Sequence, residues 1–328
     1  MCKLLGATAC SNACNRKPVF HSDNGMKKTK PSFNFLLGLG MSVLAGAQPV
    51  PQVTTGSIQR LENFPSKYVA ARHVDVWLPD GYMASRRYNV IDMQDGQSLF
   101  DPSASWTKSA WHVDVTVARL MREKRISDTI VVGIANAGKS RWSEYFPEKF
   151  LPWVAQPFRG EFRTQWMEGT ARSDAYLHFL VEELKPAIDQ RFSTLPDRDH
   201  TFVMGSSMGG LIAIYAMTEY PQVFGGAAGL STHWVGTFEP NAALPLAAFN
   251  YLQAHLADPR EHRLYMDRGT TELDVLYAPY QQFVDELVRD RGYTAANFMS
   301  RVFVGEGHNE AAWAKRLEIP LLFLLGQP

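Results

Sequence analysis

The stretch TFVMGSSMGGLIAIYAM, residues 201–217, sets two serines between glycines, after a strand-like run and before a helix-like one. Only Ser207 has glycine both two positions before it and two positions after it, at Gly205 and Gly209. This G-x-S-x-G pattern is typical of a strand that turns sharply into a helix, where larger residues at the glycine positions would collide. We interpret Ser207 as a candidate nucleophile and Ser206 as a small neighbour facing away from it. The alternative is a glycine-rich turn without chemistry.

Segments on both sides of this turn alternate between strand-like and helix-like patterns. Strands are predicted at residues 72–79, 88–96, 129–136, 200–205, 223–231, 263–269 and 300–307. Helices are predicted at residues 111–125, 173–192, 208–220 and 277–291, and Pro186 is expected to kink the second. The continuous apolar run TIVVGIAN is typical of a strand buried on both faces. The alternation predicts an α/β fold, with a mainly parallel central sheet and helices on both faces. Residues 142–171 are irregular and are expected to form a lid or a substrate-facing loop.

The composition is that of a globular protein. The chain has 328 residues, of which 45% are hydrophobic and 20% charged, and its formal net charge is zero. Because basic runs with interleaved aromatics are missing beyond the N-terminus, nucleic acid is a poor candidate partner.

The N-terminus resembles a targeting segment. A basic start (MKKTK, from Met26), a short apolar core (residues 33–46) and the small-residue pattern Ala45-Gly46-Ala47 predict a signal peptide at 26–47, cleaved near Ala47/Gln48. Residues 1–25 are then expected to be an upstream extension from a misassigned start, and residues 48–328 a single domain. The apolar core is too short for a stable membrane span, so we expect a periplasmic or secreted protein. The alternative is a buried N-terminal helix. All three cysteines lie in this leader, so no disulfide is expected in the mature chain.

A serine nucleophile needs a base, and histidine is the usual one. His308 lies in a loop, VGEGHNEAAW, directly after the last predicted strand, and we choose it as the base over the other histidines. The acid should lie after the preceding strand, in MDRGTTELD, which offers Asp267, Glu272 and Asp274. We favour Glu272, with Asp274 next, while a salt bridge with Arg268 or Arg263 accounts for Asp267. The acid's role would be to orient the imidazole and stabilise its cation.

Two backbone N–H groups are expected to stabilise the oxyanion. One is that of Met208, directly after the nucleophile, and the other is that of Gln97, in the loop after the strand that ends in MQDG. No metal or other cofactor is expected. The mature chain lacks ligand spacings typical of zinc, and the glycine cluster at 205–210 lacks the lysine of a phosphate-binding loop.

Seven segments together resemble the "putative esterase" family of the α/β-hydrolase superfamily, which includes esterase D, enterochelin esterases and feruloyl or acetyl-xylan esterase domains. They are VWLPDGY (76–82), MQDGQSLFD (93–101), RWSEYFP (141–147, after Asn136), FLVEELKPAIDQRF (179–192), GSSMGGL (205–211), GTTE (269–272) and GHNEAAW (307–313). The resemblance implies an α/β-hydrolase fold with Ser207 as nucleophile and His308 as base. It also implies that the acid is the third residue after the strand-end glycine, which is Glu272.

The sequence therefore predicts a serine hydrolase that cleaves carboxylic esters through an acyl-enzyme intermediate. Its substrate would be a small-molecule or carbohydrate-linked ester, and siderophore, feruloyl, acetyl-sugar and short-chain esters all fit. One alternative is an acyltransferase of the same fold. Another is a non-catalytic relative that binds carbohydrate or siderophore. The block at Arg141 and Glu144 is expected either to contact substrate or to form an internal ion pair.

Overall fold

A computed structural model describes residues 49–326, and these residues contain one eight-stranded sheet. The strands are β1 (Ser57–Phe64), β2 (Arg72–Leu78), β3 (Asn89–Gln94), β4 (Thr129–Ile134), β5 (Thr201–Ser206), β6 (Gly226–Leu230), β7 (Arg263–Arg268) and β8 (Phe298–Val302). Their order across the sheet is β1-β2-β4-β3-β5-β6-β7-β8. β1 and β2 are antiparallel to each other, β2 is antiparallel to β4, and every pairing from β4 to β8 is parallel.

This topology brings the functional loops to one edge of the sheet. Strands β3, β5, β6, β7 and β8 run in the same direction, so the loops that follow them all leave from the carboxyl edge. In open α/β sheets that edge is where ligands bind. The predicted α/β class and mainly parallel sheet are confirmed.

Helices cover both faces of the sheet. They are α1 (Val113–Arg122), α2 (Arg141–Tyr145), α3 (Phe158–Trp166), α4 (Ser173–His178), α5 (Lys185–Arg191), α6 (Met208–Glu219), α7 (Ala243–His255), α8 (Ala278–Asp290), α9 (Glu310–Arg316) and α10 (Glu318–Leu325). Successive residues of the central strands point to opposite faces of the sheet, so they pack into two different hydrophobic cores. Val203 of β5 packs with residues of α6, α7 and α8, whereas Phe202 and Met204 pack with residues of α1, α9 and α10.

Local patterns explain most of these elements. In α1 the buried residues Val113, Val117 and Leu120 recur at helical spacing, so one face of the helix meets the sheet. All six residues of β4 are buried, as expected for a β-branched run in the middle of a parallel sheet.

Several element predictions need correction. β8 covers Phe298–Val302, and the residues after it turn away from the sheet before reaching Gly307. The helix from residue 173 is irregular at the π-helical segment Phe179–Leu184, one turn before the expected kink at Pro186. Residues 142–171, expected to be irregular, contain α3 and most of α2. β1 and α7 were not predicted.

The predicted signal peptide, its cleavage site and the upstream extension lie outside the described residues. Between residues 49 and 326, no helix is both long and apolar enough to cross a bilayer.

Candidate active site

The turn between β5 and α6 carries Ser207 in an unusual backbone conformation. Its φ is 55° and its ψ is −124°, a region that residues with a side chain rarely enter. The two flanking glycines are required by close contacts. A Cβ at Gly205 would lie 2.5 Å from the backbone of Gly209, and a Cβ at Gly209 would lie 3.0 Å from the Cβ of Gln94. The turn around the strained serine thus has no room for a Cβ at Gly205, and little room for one at Gly209.

The start of α6 provides backbone donors next to this serine. α6 begins at Met208, and the first N–H groups of a helix have no acceptor within the helix. Gln97, the other expected donor, lies in a 3-10 turn, Gly96–Ser98, directly after β3. The side chain of Gln97 accepts a hydrogen bond from the N–H of Asn136 (3.3 Å). Met208 follows β5 and Gln97 follows β3, so both residues lie at the carboxyl edge of the sheet.

His308 and a buried carboxylate form the second part of the site. The His308 Nδ1 lies 2.6 Å from Oδ1 of Asp274, whose side chain has 0% exposure. Asp274 also accepts hydrogen bonds from the Ser231 hydroxyl (2.6 Å) and the Gly269 N–H (2.5 Å). Burial opposes ionisation of Asp274, but His308 and these donors together bring its pKa below the ordinary aspartate value. Asp274 is therefore an anion held against the imidazole.

The favoured acid, Glu272, lies elsewhere. Its carboxylate accepts the backbone N–H of His308 (2.7 Å) and contacts the side-chain amide of Asn309. Glu272 thus holds the backbone of the histidine loop, and the carboxylate against the imidazole is that of Asp274, the second choice. Both carboxylates lie in the 3-10 turn Glu272–Leu276. Only Asp274 is directed into the core, and it therefore reaches the imidazole.

A second layer of polar contacts supports Asp274. The Ser231 hydroxyl accepts hydrogen bonds from Trp313 Nε1 (3.0 Å) and Arg316 (2.8 Å), while it donates to Asp274. Arg316 in turn forms a buried ion pair with Asp267 (2.9 Å). Asp267 therefore forms a salt bridge, but its partner is Arg316 of α9 and not Arg268 or Arg263 as expected. These contacts connect α9 to the site.

Ser207 and His308 line the same cavity, whose volume is about 510 Å³. Ser206 also lines it, although we had expected Ser206 to face away. Most of the remaining wall is apolar and aromatic, from Trp106, Trp111, Trp142, Phe238, Leu273 and Trp313. Of these, only Trp142 lies in the segment 142–171 that we expected to face the substrate. The others escaped notice because their loops are distant in sequence.

A charged pair forms part of the polar wall. Arg141 contacts Asp95 through two hydrogen bonds (2.7 and 2.6 Å), and Asn136 donates to the same carboxylate (2.6 Å). Glu144 instead pairs with Arg72 in the core (2.7 Å). Arg141 and Glu144 thus have separate partners, and only Arg141 reaches the cavity.

Along the chain the serine follows β5, the carboxylate follows β7 and the histidine follows β8. Comparison with known proteins shows which family has this sequence. Residues 69–324 match the family model described as "Putative esterase". This chain belongs to that esterase family. Membership supports ester hydrolysis as its activity. Among curated proteins, the chain is 22% identical over 266 residues to the uncharacterised Bacillus subtilis protein YbbA, covering 78% of this chain and 93% of that protein.

Solved structures of esterases share the fold. A ferulic acid esterase superposes with a TM-score of 0.60 at 19% identity, over 83% of this chain and 98% of that one. The Anaeromyces mucronatus ferulic acid esterase gives 0.57 at 17% identity, over 83% and 90%. The enterobactin esterase of Shigella flexneri gives 0.61 at 16% identity, over 85% of this chain and 62% of its own. The expected α/β-hydrolase fold is confirmed.

Proposed function

We propose that this esterase-family protein is a serine carboxylic ester hydrolase, with Ser207 as nucleophile, His308 as base and Asp274 as acid. The observation that carries the proposal is the buried contact of Asp274 with His308 Nδ1, in the cavity that Ser207 also lines. That contact leaves Nε2 as the ring nitrogen for proton transfer, as in serine hydrolases on several folds.

The reaction would proceed in two steps. His308 Nε2 takes the proton of Ser207 as Oγ attacks the ester carbonyl, and the N–H groups of Met208 and Gln97 stabilise the oxyanion. The alcohol leaves with the proton from His308, and an acyl group stays on Ser207. A water then gives its proton to His308 and attacks the acyl carbonyl, which releases the acid and restores the serine.

Steady-state hydrolysis of p-nitrophenyl acetate by the wild type, Ser207→Ala and His308→Ala tests this assignment. We expect each variant to lose at least about 10³-fold in kcat, as for other triads. The wild type should react with a fluorophosphonate probe, and Ser207→Ala should not. Near wild-type turnover in either variant would refute the assignment. Added alcohol acceptors separate hydrolysis from acyl transfer, because transfer would yield a new ester.

The aromatic wall supports an ester with an apolar or aromatic part. Trp142 and Phe238 pack edge to face, with ring centroids 5.8 Å apart, and Trp166 packs against both. Flat rings stack favourably on such surfaces. We expect kcat/KM for methyl ferulate to exceed that for methyl acetate, and Phe238→Ala to reduce this preference. Equal kcat/KM values for the two esters in the wild type would count against an aromatic substrate.

Residues 26–47 would export the mature chain, residues 48–328, as one catalytic domain in the periplasm or outside the cell. Expression of the full chain with fractionation and N-terminal sequencing tests this proposal. We expect exported protein that begins at Gln48. Protein that stays in the cytoplasm with residues 26–47 attached would contradict it.

A further inference from the structure

One carboxylate of the cavity wall has no part in the proposed triad. Glu310 is the first residue of α9, two positions after His308, and it lines the same cavity as His308 and Trp313. It belongs to the segment GHNEAAW, from which the proposed mechanism uses only the histidine. The wall of the cavity thus contains an acidic side chain that the mechanism leaves without a role.

The carboxylate of Glu310 is nearly buried and has no partner. The residue is 7% exposed. Within residues 49–326 its oxygens accept no hydrogen bond and form no ion pair. Neither oxygen is sealed from solvent, so the small exposed part of the residue includes the carboxylate. Because Glu310 lines the cavity, the carboxylate opens into it.

The other charged pair of the wall is already balanced. Arg141 donates two hydrogen bonds to Asp95. Burial opposes the charge of Arg141, but Asp95 and, to a smaller extent, Glu310 raise the pKa of Arg141 above the ordinary arginine value. The charges of Arg141 and Asp95 cancel, and His308 is neutral when it acts as a base. The wall therefore has an excess of negative charge, which lies on Glu310.

An unpaired carboxylate in an aromatic wall suits one kind of ligand group. A carboxylate accepts hydrogen bonds and donates none, so it attracts ammonium groups and repels anions. A hydroxyl group would donate to it as well but would leave its charge uncompensated, which is costly away from water. The faces of tryptophan rings also attract cations. Four tryptophans line this cavity: Trp106, Trp111, Trp142 and Trp313.

We propose that Glu310 is a substrate-binding residue that selects esters carrying an ammonium group. The inference rests on the proposed function, and it adds a cation to the apolar part expected of the ester. The ammonium group pairs with the carboxylate of Glu310, and its methyl or methylene groups contact the indole rings. Glu310 acts on specificity and takes no proton in the reaction.

The first test uses pairs of esters that share a shape and differ in charge. One pair is acetylcholine and its uncharged tert-butyl analogue, with the cation on the alcohol side. The other is methyl trimethylaminobutyrate and its tert-butyl analogue, with the cation on the acyl side. We expect the wild type to prefer the charged ester about tenfold in kcat/KM in one pair, which identifies the part of the substrate that carries the cation.

Variants of Glu310 show whether this preference comes from its charge. Glu310→Gln keeps the shape of the side chain without the charge and should bring the ratio of kcat/KM values near one. Glu310→Asp keeps the charge and should retain part of the preference. A wild-type ratio of one or below in both pairs, or a preference that survives Glu310→Gln, would overturn the proposal.

The matched control is Glu306→Gln. Glu306 lies in the loop before His308, outside the cavity wall, and forms an ion pair with Lys315 at the surface (3.2 Å). Its ratios should equal those of the wild type. If Glu310 only stabilised the first turn of α9, Glu310→Gln would lower kcat/KM for charged and uncharged esters alike, and the proposal would be wrong.

Calorimetric titration separates the failure of this proposal from that of the proposed function. Benzyltrimethylammonium should bind the wild type at least about tenfold more tightly than benzylsulfonate, an anion of similar size, and Glu310→Gln should lose the difference. A wild type that hydrolyses p-nitrophenyl acetate without this difference would overturn the ammonium site and leave the ester hydrolase intact. Cation binding that depends on Glu310, in a chain that hydrolyses no ester, would overturn the hydrolase and leave the ammonium site.

Discussion

At the scale of single residues, Asp274 and Glu272 differ in what they hold. Asp274 contacts the imidazole of His308, while Glu272 contacts the backbone of its loop. We expect Asp274→Asn to lower kcat by about 10²- to 10⁴-fold, because the asparagine cannot stabilise the imidazolium and favours the wrong tautomer. Glu272→Gln, the matched control, should stay within about threefold. Steady-state kinetics of both variants provide the measurement, and the reverse ranking would restore Glu272 as the acid.

The charge of Asp274 also contributes to stability. Since its pKa is lower in the folded chain than in the unfolded one, the contribution is complete above the ordinary aspartate range, near pH 4, and is lost as pH falls through the folded value. The difference in free energy of unfolding between wild type and Asp274→Asn should therefore shrink between about pH 5 and pH 3. Urea unfolding at several pH values measures it. A difference that grows towards acid pH would show that folding raises the pKa of Asp274 instead of lowering it.

The sequence predicted the serine and the histidine because each lies beside glycines in a local pattern. Asp274, the proposed acid, was only the second choice, since Glu272 and Asp274 are two residues apart in one turn and the contacts that bury Asp274 come from Ser231 and Gly269. The contact between His233 and Tyr277 could not be predicted either, because the two residues lie 44 positions apart and only the fold brings them together.

At the scale of elements, the turn from β5 to α6 depends on close backbone packing. A Cβ at Gly205 would lie 2.5 Å from the carbonyl carbon of Gly209, so one of the two backbones must move. We expect Gly205→Ala to lower the free energy of unfolding by at least about 1 kcal/mol. Hydrolysis should fall at least about tenfold, because Ser207, the proposed nucleophile, moves with the turn.

Gly160→Ala is the control for that change. In α3 the new Cβ would meet only the end of the Gln156 side chain (3.1 Å), which can rotate away. Inside a helix, alanine is favoured over glycine by about 0.5–1 kcal/mol. Urea unfolding should thus show a neutral or stabilising effect, with activity unchanged. If Gly205→Ala matched this control, the turn would not need its glycine.

Element prediction succeeded where one pattern filled the whole segment, as in β4 and α1. It failed at β1, whose exposed and intermediate residues give no continuous apolar run. It also failed at α7, whose apolar residues surround the helix and show no distinct face. The end of β8 was misplaced because FVGEG continues the strand-like composition beyond Val302, the last residue of the strand.

At the scale of the whole molecule, a buried ion pair joins β2 to α2. The Arg72 guanidinium contacts Glu144 through two hydrogen bonds (2.8 and 2.7 Å), and the two side chains have 4% and 3% exposure. We expect Glu144→Gln to cost about 3–5 kcal/mol, since it leaves a buried cation without a counter-charge. Glu261→Gln breaks the exposed pair with Arg198 and should cost at most about 1 kcal/mol. Equal losses in urea unfolding would contradict this difference.

The α/β class and the parallel sheet were predictable because alternation along the chain constrains the topology. The cavity was not, because its wall combines loops from both halves of the chain. Trp106 and Trp111 come from before β4, whereas Phe238 and Trp313 follow β6 and β8.

The tryptophans of that wall have an optical consequence. Trp106, Trp111, Trp142 and Trp313 line the cavity, out of eight tryptophans in the chain. Any ring-bearing molecule that enters must displace water from indole faces and come within contact distance of several fluorophores. The protein thus carries its own reporter, whose emission registers occupancy of the cavity without any turnover. Candidate ligands can therefore be ranked on the Ser207→Ala chain, which we expect to be inactive, so that binding is measured apart from any bond cleavage.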